Sequence, residues 1–234
     1  MVVPAYNEEA RIGRTLDQIA AYLGGRTFTW EVLVVDDGSV DRTREIVEEA
    51  GSRVPGIRVL PVAHGGKGWA VRHGMLAATG RLRFMADADL AMPIDQLDGF
   101  LAKAEEGFDV MIASREAPGA RRFDEPQMRH LMGRVFNLVV RLLAVRGFQD
   151  TQCGFKCLTE DAAVLLFNVM RIDGFGFDIE LLYVAKKRGL SVVEVPIQWR
   201  YQPRSKIRPL RDSALMLADI LRIRLRSLAG RYDC

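Results

Sequence analysis

The sequence predicts an α/β protein built on a mostly parallel, doubly wound sheet flanked by helices, with an amphipathic helix at its C-terminal end. Apolar runs of strand length alternate with helix-periodic segments through the first 115 residues, the rhythm of βαβ units. Those runs are apolar without alternation, as strands covered on both faces are. The chain has 234 residues, 49% of them hydrophobic and 27% charged. That is enough for one large domain, or a domain with an appendage, around a real core. The pattern is Rossmann-like in its winding.

Met1 to Pro4 is the first strand, and Ala5 to Glu9 turns the chain. Ile12, Leu16, Ile19, Ala20 and Leu23 then recur at the spacing of a helix with one buried face. Trp30 to Val35 is the second strand, ending in Asp36-Asp37-Gly38-Ser39, and a helix runs from Asp41 to about Ala50. Ile57 to Val62 is the third strand, followed by a loop from His64 to Gly68 and a helix from Trp69 to Ala78. Leu82 to Ala86 is the fourth strand, Pro93 to Ala104 a helix, and Asp109 to Ser114 the fifth strand.

After Arg115 the rhythm breaks. Glu116 to Glu125 reads as a polar, mobile loop, Gln127 to Val145 as a long helix, and Gly147 to Thr159 as irregular with a short strand. Glu160 to Val169 and Phe177 to Arg188 are helical, Val192 to Gln198 is a strand, and Gln202 to Pro209 is a basic loop. In the closing helix, Leu210, Ala214, Leu217, Leu221, Leu225 and Leu228 form one stripe.

Net charge is only +3, which gives no global nucleic-acid signature, and no stacking aromatics interleave the basic residues. Charge is nonetheless uneven. Arg204 to Arg231 holds eight basic residues against two acids, so an anionic partner belongs near that end. The three cysteines make neither a disulfide framework nor a zinc set. Cys153 and Cys157 read as small buried hydrophobes in a reduced compartment. No apolar run reaches the roughly 18 to 20 residues of a spanning helix, so the expectation is a soluble or peripheral protein on the cytoplasmic side. His64, His73 and His130 lack metal spacing and receive no role.

The chemistry sits at strand ends. Asp36-Asp37 closes the second strand and Asp87-Ala88-Asp89 the fourth. Parallel strands emerge on one edge, where open α/β sheets hold their ligands, so both pairs line one crevice. Close carboxylates repel unless a cation sits between them. Oxygen-only ligands suit Mg²⁺ or Mn²⁺ shared with substrate phosphates, with Asp87 and Asp89 the metal candidates. Lys67 between glycines adds an ammonium beside a backbone that a ligand can approach closely. This is neither a Walker loop nor a dinucleotide turn.

These segments carry a resemblance. Val2-Val3-Pro4-Ala5-Tyr6-Asn7-Glu8-Glu9, Val34-Val35-Asp36-Asp37-Gly38-Ser39 with Asp41 and Thr43, Gly66-Lys67-Gly68 and Asp87-Ala88-Asp89 occur in the order of inverting family 2 glycosyltransferases. The first half resembles the nucleotide-sugar half of their GT-A fold. Asp150-Thr151-Gln152-Cys153-Gly154-Phe155-Lys156 and Gly176-Phe177-Asp178-Ile179-Glu180-Leu181-Leu182 are similar to the polyprenyl-phosphate branch, with the dolichyl-phosphate glucosyl type nearer than the mannosyl type.

The resemblance implies hexose transfer with inversion, glucose before mannose, from a UDP- or GDP-sugar to a polyprenyl phosphate. It places Pro4, Ala5, Tyr6, Glu8, Asp36, Lys67, Asp87 and Ala88 at the nucleotide and Asp89 on the metal. It places Arg115, Arg134, Arg204 and Lys206 around the acceptor phosphate. The expected catalytic set is Asp89, Arg115, Arg134 and Asp178, with Asp150 and Gln152 as further sugar or acceptor contacts. Ala91 stands where some mannosyl relatives carry a metal-supporting Gln, which leaves fewer protein ligands. On this reading 1–115 is the nucleotide-sugar half and 116–206 the acceptor half of one catalytic domain. Residues 207–234 form a basic helix for a membrane interface. An oligomer is compatible with this arrangement. Two other readings stay open: transfer to a soluble or glycan hydroxyl, and a non-catalytic nucleotide-sugar-binding protein.

Overall fold

A computed structural model describes residues 1–202 and 209–233, with the side chains of 209 and 210 excepted. A seven-stranded sheet holds β1 (Val2–Ala5), β2 (Val32–Asp36), β3 (Ile57–Pro61), β4 (Leu82–Met85), β5 (Val110–Ser114), β7 (Lys156–Thr159) and β8 (Val192–Pro196). Their order across the sheet is β3-β2-β1-β4-β7-β5-β8. All neighbours are parallel except at β7, which runs antiparallel between β4 and β5.

Successive strand residues point to opposite faces, and each face has its own core. Val2, Leu33, Val35, Met85, Ile112 and Leu158 join one cluster; Val3, Val34, Phe84, Met111 and Cys157 join the other. This explains the unbroken apolar runs. The second cluster is closed by Ile12, Leu16, Ile19 and Leu23 of α1 (Ile12–Gly24), with α2 (Thr43–Arg53) and α4 (Leu97–Glu105) beside it. The first cluster is covered by α3 (Lys67–Ala77), α6 (Glu160–Val169) and α7 (Phe177–Lys187).

Three differences from the sequence reading matter. Helix α3 starts at Lys67 rather than Trp69, because Gly66 at φ 106° turns the chain and its carbonyl accepts from Ala70 N–H. Lys67 therefore stands at a helix start, not in a loop. The stretch expected as a mobile loop contains β6 (Arg121–Phe123), which pairs in parallel with β9 (Gln198–Arg200) in a second, two-stranded sheet. Residues Ile94–Gln96 form a 3-10 turn ahead of α4, since Pro93 stays extended.

The two remaining helices are α5 (Gln127–Leu143) and α8 (Pro209–Leu228). Helix α8 has two apolar faces. Met216, Ile220 and Ile223 are buried, whereas Leu217, Leu221, Leu225 and Leu228 of the predicted stripe are 38 to 87% exposed. Helix α5 likewise exposes Met128, Leu131, Met132, Val135, Leu138 and Leu142. The helices meet where Arg224 Nε donates to the Leu143 carbonyl at 2.9 Å.

Helix α3 crosses β1 and β2 so closely that a Cβ on Gly74 would lie 2.4 Å from Val2 Cγ1 and 2.6 Å from Val35 Cγ2. Overpacking of this kind costs about 1–3 kcal/mol, more than the roughly 1 kcal/mol that alanine gains over glycine in a helix. Gly74→Ala is therefore expected to lower the urea unfolding midpoint.

Candidate active site

Parallel pairing brings three strand ends to one edge. Ala5 is in register with Asp36, and Val2 with Met85, so the segments after β1, β2 and β4 emerge together. Pro4 and Ala5 lie on β1 itself, paired with Val35 and Asp36. The first two segments are zipped by side chains. Asn7 N–H donates to Ser39 Oγ, Glu8 N–H to Thr43 Oγ1, Glu9 N–H to Asp41 Oδ2, and Val40 N–H to Asn7 Oδ1. Asn7 holds φ 51°, a left-handed turn asparagine tolerates. These bonds explain why both motifs need small polar residues at those positions.

Asp36 and Asp37 are buried and divide the work. Asp36 Oδ1 accepts from Ser39 N–H at 3.1 Å, shaping its own turn. Asp37 accepts the N–H groups of Gly65 and Gly66 at 2.8 and 3.0 Å and pairs with His64 Nδ1 at 2.9 Å. It thus anchors the loop that leads to Lys67. His64, given no role from sequence, stacks on Tyr6 with ring centroids 4.3 Å apart. No local signal announced this, because the two rings come from segments nearly 60 residues apart.

Asp87 and Asp89 sit in the turn after β4. Thr15 Oγ1 holds the Ala88 carbonyl at 2.6 Å, and Leu90 closes the turn at φ 43°, a strained value for leucine. Lys67 Nζ pairs with Asp87 Oδ1 at 2.6 Å. Burial alone would pull the Lys67 ammonium down, but Asp87, with Asp178 and Asp89, holds it above the ordinary lysine range. Asp89 is pushed above the usual carboxylate range by burial and by Asp87, against Ala91 N–H, Lys67 and Arg11. Arg11 NH1 lies 3.9 Å from Asp89 Oδ2 while its Nε pairs with Glu8 at 2.6 Å.

The two carboxylates fit a divalent cation. They offer only oxygen, one of them is held partly against ionisation by the other, and Gly154 lets the backbone pack directly against Asp87 with no side chain between. A Cβ there would fall 1.9 Å from Asp87 Oδ2. Among the described residues no group of three or more His, Cys, Asp or Glu converges on a metal position.

The other side of the edge is an ion-pair system. Arg115 Nε and NH2 grip Asp150 at 2.7 and 3.0 Å, and Asp150 also accepts Arg115 N–H. Burial would raise the Asp150 carboxyl, but Arg115 outweighs it and holds it at about 2. Gln152 donates its N–H to Asp150 Oδ1 at 3.2 Å, while its side-chain Nε2 lies against Met216 Sδ of α8. Arg134 lines a groove of about 270 Å³ with Glu116, Val135, Asn137, Leu138, Arg141 and Gln149. Asp178 is buried at the head of α7, where Lys156 Nζ donates to its Oδ1 at 2.5 Å. Its carboxyl is raised, by burial first, against Lys156 and Lys67. Arg204 and Lys206 lie outside the described residues. Cys153 and Cys157 are free and buried, their thiols pushed up to about 11 and about 12 by burial, so they act as small hydrophobes.

Because the Asp150 carboxyl is held low in the folded state, its contribution is present above the unfolded value near 4 and fades as pH falls toward 2. Asp150→Asn is expected to cost about 3–5 kcal/mol at neutral pH by stranding Arg115. It should also flatten stability between about pH 4 and pH 2, measured by urea unfolding against pH.

Residues 1–170 match the family model described as glycosyl transferase family 2. The chain is 37% identical to a dolichyl-phosphate beta-glucosyltransferase of Trichomonas vaginalis, over 99% of the chain and 72% of the relative. It is also 37% identical to a dolichyl-phosphate beta-glucosyltransferase of Mus musculus, over 99% of the chain and 76% of the relative. Among solved structures, mannosyl-3-phosphoglycerate synthase from Rubrobacter xylanophilus superposes with a TM-score of 0.71 at 22% identity, over 100% of this chain and 74% of that one. Glucosyl-3-phosphoglycerate synthase from Mycobacterium tuberculosis, solved with Mn²⁺, UDP-glucose and phosphoglyceric acid, superposes with a TM-score of 0.68 at 23% identity. That match covers 95% of this chain and 78% of that one.

Proposed function

The chain belongs to glycosyltransferase family 2, and from that premise we propose that it moves glucose, with inversion, from UDP-glucose to a polyprenyl phosphate of the dolichyl type. The observation that carries the reading is the meeting of Asp87, Asp89 and Lys67 at the carboxyl edge of the parallel strands, beside Tyr6 and Asp36. The names of the relatives supply the sugar and the acceptor class.

In this reading Pro4, Ala5, Tyr6, Glu8 and Asp36 border the nucleoside, while Lys67, Asp87 and Ala88 border its diphosphate. Asp87 and Asp89 would hold Mg²⁺ or Mn²⁺, with Ala91 in place of a further protein ligand. When bound, the cation would supply charge neutralisation for the departing UDP. Lys67 adds a fixed positive charge that needs no reorganisation as negative charge develops. The acceptor phosphate, with a second pKa near 6, is ionised at neutral pH and needs orientation rather than a base. Arg134, with Arg204 and Lys206, binds it, since guanidinium grips phosphate bidentately. Arg115 reaches it from its pair with Asp150. Asp178 is engaged by Lys156 and is not free to abstract a proton.

The halves then divide at the end of β5: 1–115 for the nucleotide sugar, 116–206 for the acceptor. No described helix is long and apolar enough to cross a membrane. The exposed leucines of α8 and the exposed face of α5, rimmed by Arg129, Arg134, Arg141, Arg222 and Arg224, support peripheral docking on the cytoplasmic face, where a lipid phosphate sits.

The direct test incubates the chain with UDP-glucose, Mn²⁺ and a short polyprenyl phosphate and reads product mass; no glucosyl lipid with active donor and acceptor would sink the proposal. Asp89→Asn is expected to lower kcat by on the order of 10²-fold or more. Arg134→Ala should raise the KM for the lipid phosphate about 10-fold and leave the donor KM nearly unchanged. Replacing Leu221 and Leu225 with Glu should abolish flotation with anionic liposomes.

A further inference from the structure

Lys156 is the one fully buried lysine among the described residues, at 1% exposure, and the chemistry above uses it only through Asp178. It opens β7, the antiparallel strand, in register with Met85 of β4 on one side and Ile112 of β5 on the other. Those two strands lead into Asp87-Ala88-Asp89 and into Arg115. A buried ion pair is a weak stabiliser beside apolar residues of similar volume. Stability alone therefore gives no reason for an ammonium in a strand continued by Cys157 and Leu158.

What it touches gives one. Lys156 Nζ donates to the Cys153 carbonyl and to Asp178 Oδ1, both at 2.5 Å. The first bond closes the turn that lays Gly154 against Asp87. The second holds the head of α7, and Phe177 there packs against Gly68, next to Lys67; a Cβ on Gly68 would meet Phe177 Cβ at 2.8 Å. The contacts form a ring: Asp87, Gly154, Lys156, Asp178, then back through Phe177 and Gly68 to Lys67 and Asp87. Lys67 contacts Asp87, while Asp178, next to the Phe177 that packs on Gly68, attracts it from beyond contact distance, as does Asp89.

We propose that Lys156 is a positioning residue for the donor diphosphate site: its buried ammonium occupies Asp178, so that Lys67 stays on Asp87. Charges alternate along this chain of four groups, and removing the terminal ammonium leaves Asp178 with Lys67 as its one cation. Lys67 is then drawn off Asp87, and the site meets the diphosphate with its positive charge misplaced. The inference rests on the family 2 reading above. It concerns the protein's own four side chains and holds before any metal or sugar is bound.

The test is calorimetric titration of UDP, with and without Mn²⁺, into the purified full chain. Lys156→Gln, which can still donate to the Cys153 carbonyl, is expected to weaken UDP by 10–100-fold, the usual range for a supporting residue behind a charged site. Asp178→Asn removes the competitor for Lys67, so UDP affinity should stay within about 3-fold of the wild type, whatever happens to turnover. The pair Lys156→Met with Asp178→Asn should likewise bind within about 3-fold. A purely structural ion pair predicts instead that both single variants weaken UDP equally, in step with their melting temperatures. That result, or UDP affinity unchanged in Lys156→Gln, overturns the proposal. Should Lys156→Gln lack a cooperative melt, Asp178→Asn decides: retained UDP affinity supports the proposal, and a loss of 10-fold or more overturns it. Wild-type chain that takes up no UDP would instead sink the donor assignment itself.

Discussion

The contact on which the site depends is the pair between Lys67 and Asp87. Each member alone would be costly: a second carboxylate two residues from the first, and an ammonium largely enclosed by protein. Together they let a strand end carry Asp87 and Asp89 without collapse of the turn. The pair also ties the start of α3 to the turn after β4, twenty residues further along the chain. Everything around it keeps that distance short. Gly66 turns the chain so that α3 begins at Lys67, Asp37 anchors the loop in front, and Thr15 pins the Ala88 carbonyl from behind.

The two sides of the edge are built differently. Around Asp36, backbone amides and short side chains zip two loops together, so the edge is preformed. Around Arg115, the charges are paired: Arg115 with Asp150 and Arg122 with Glu116 and Glu125, while Arg134 lines an open groove. Charge there is plentiful but mostly paired, which suits a surface where a phosphate displaces or joins existing partners rather than filling an isolated basic hole. Helix α8 packs against α5 and α7. It presses Met216 on Gln152 and Asp219 on Gly176, while Tyr232 just beyond it donates to the wholly buried Glu180 at 2.5 Å. A helix read from sequence as a membrane appendage is therefore also part of the core, and its leucine stripe faces outward because the opposite face is the one that packs.

What the sequence by itself determined is the periodicity and the chemistry at its breaks. Unbroken apolar runs announced doubly covered strands. Asp36-Asp37 and Asp87-Ala88-Asp89 had to share an edge once the strands were parallel, and the motif spacing named the family. These are local properties, set by side-chain period and by where a strand stops. The tertiary structure alone decided which group faces which: that His64 stacks on Tyr6, that Asp37 holds a loop instead of a ligand, that Arg115 is spoken for by Asp150, and that Lys156 backs Asp178. Each of these joins segments tens of residues apart, and no spacing rule along a chain encodes a distance across a sheet. The antiparallel course of β7 belongs with them, since the direction of a strand is set by the path that delivers it and not by its own residues.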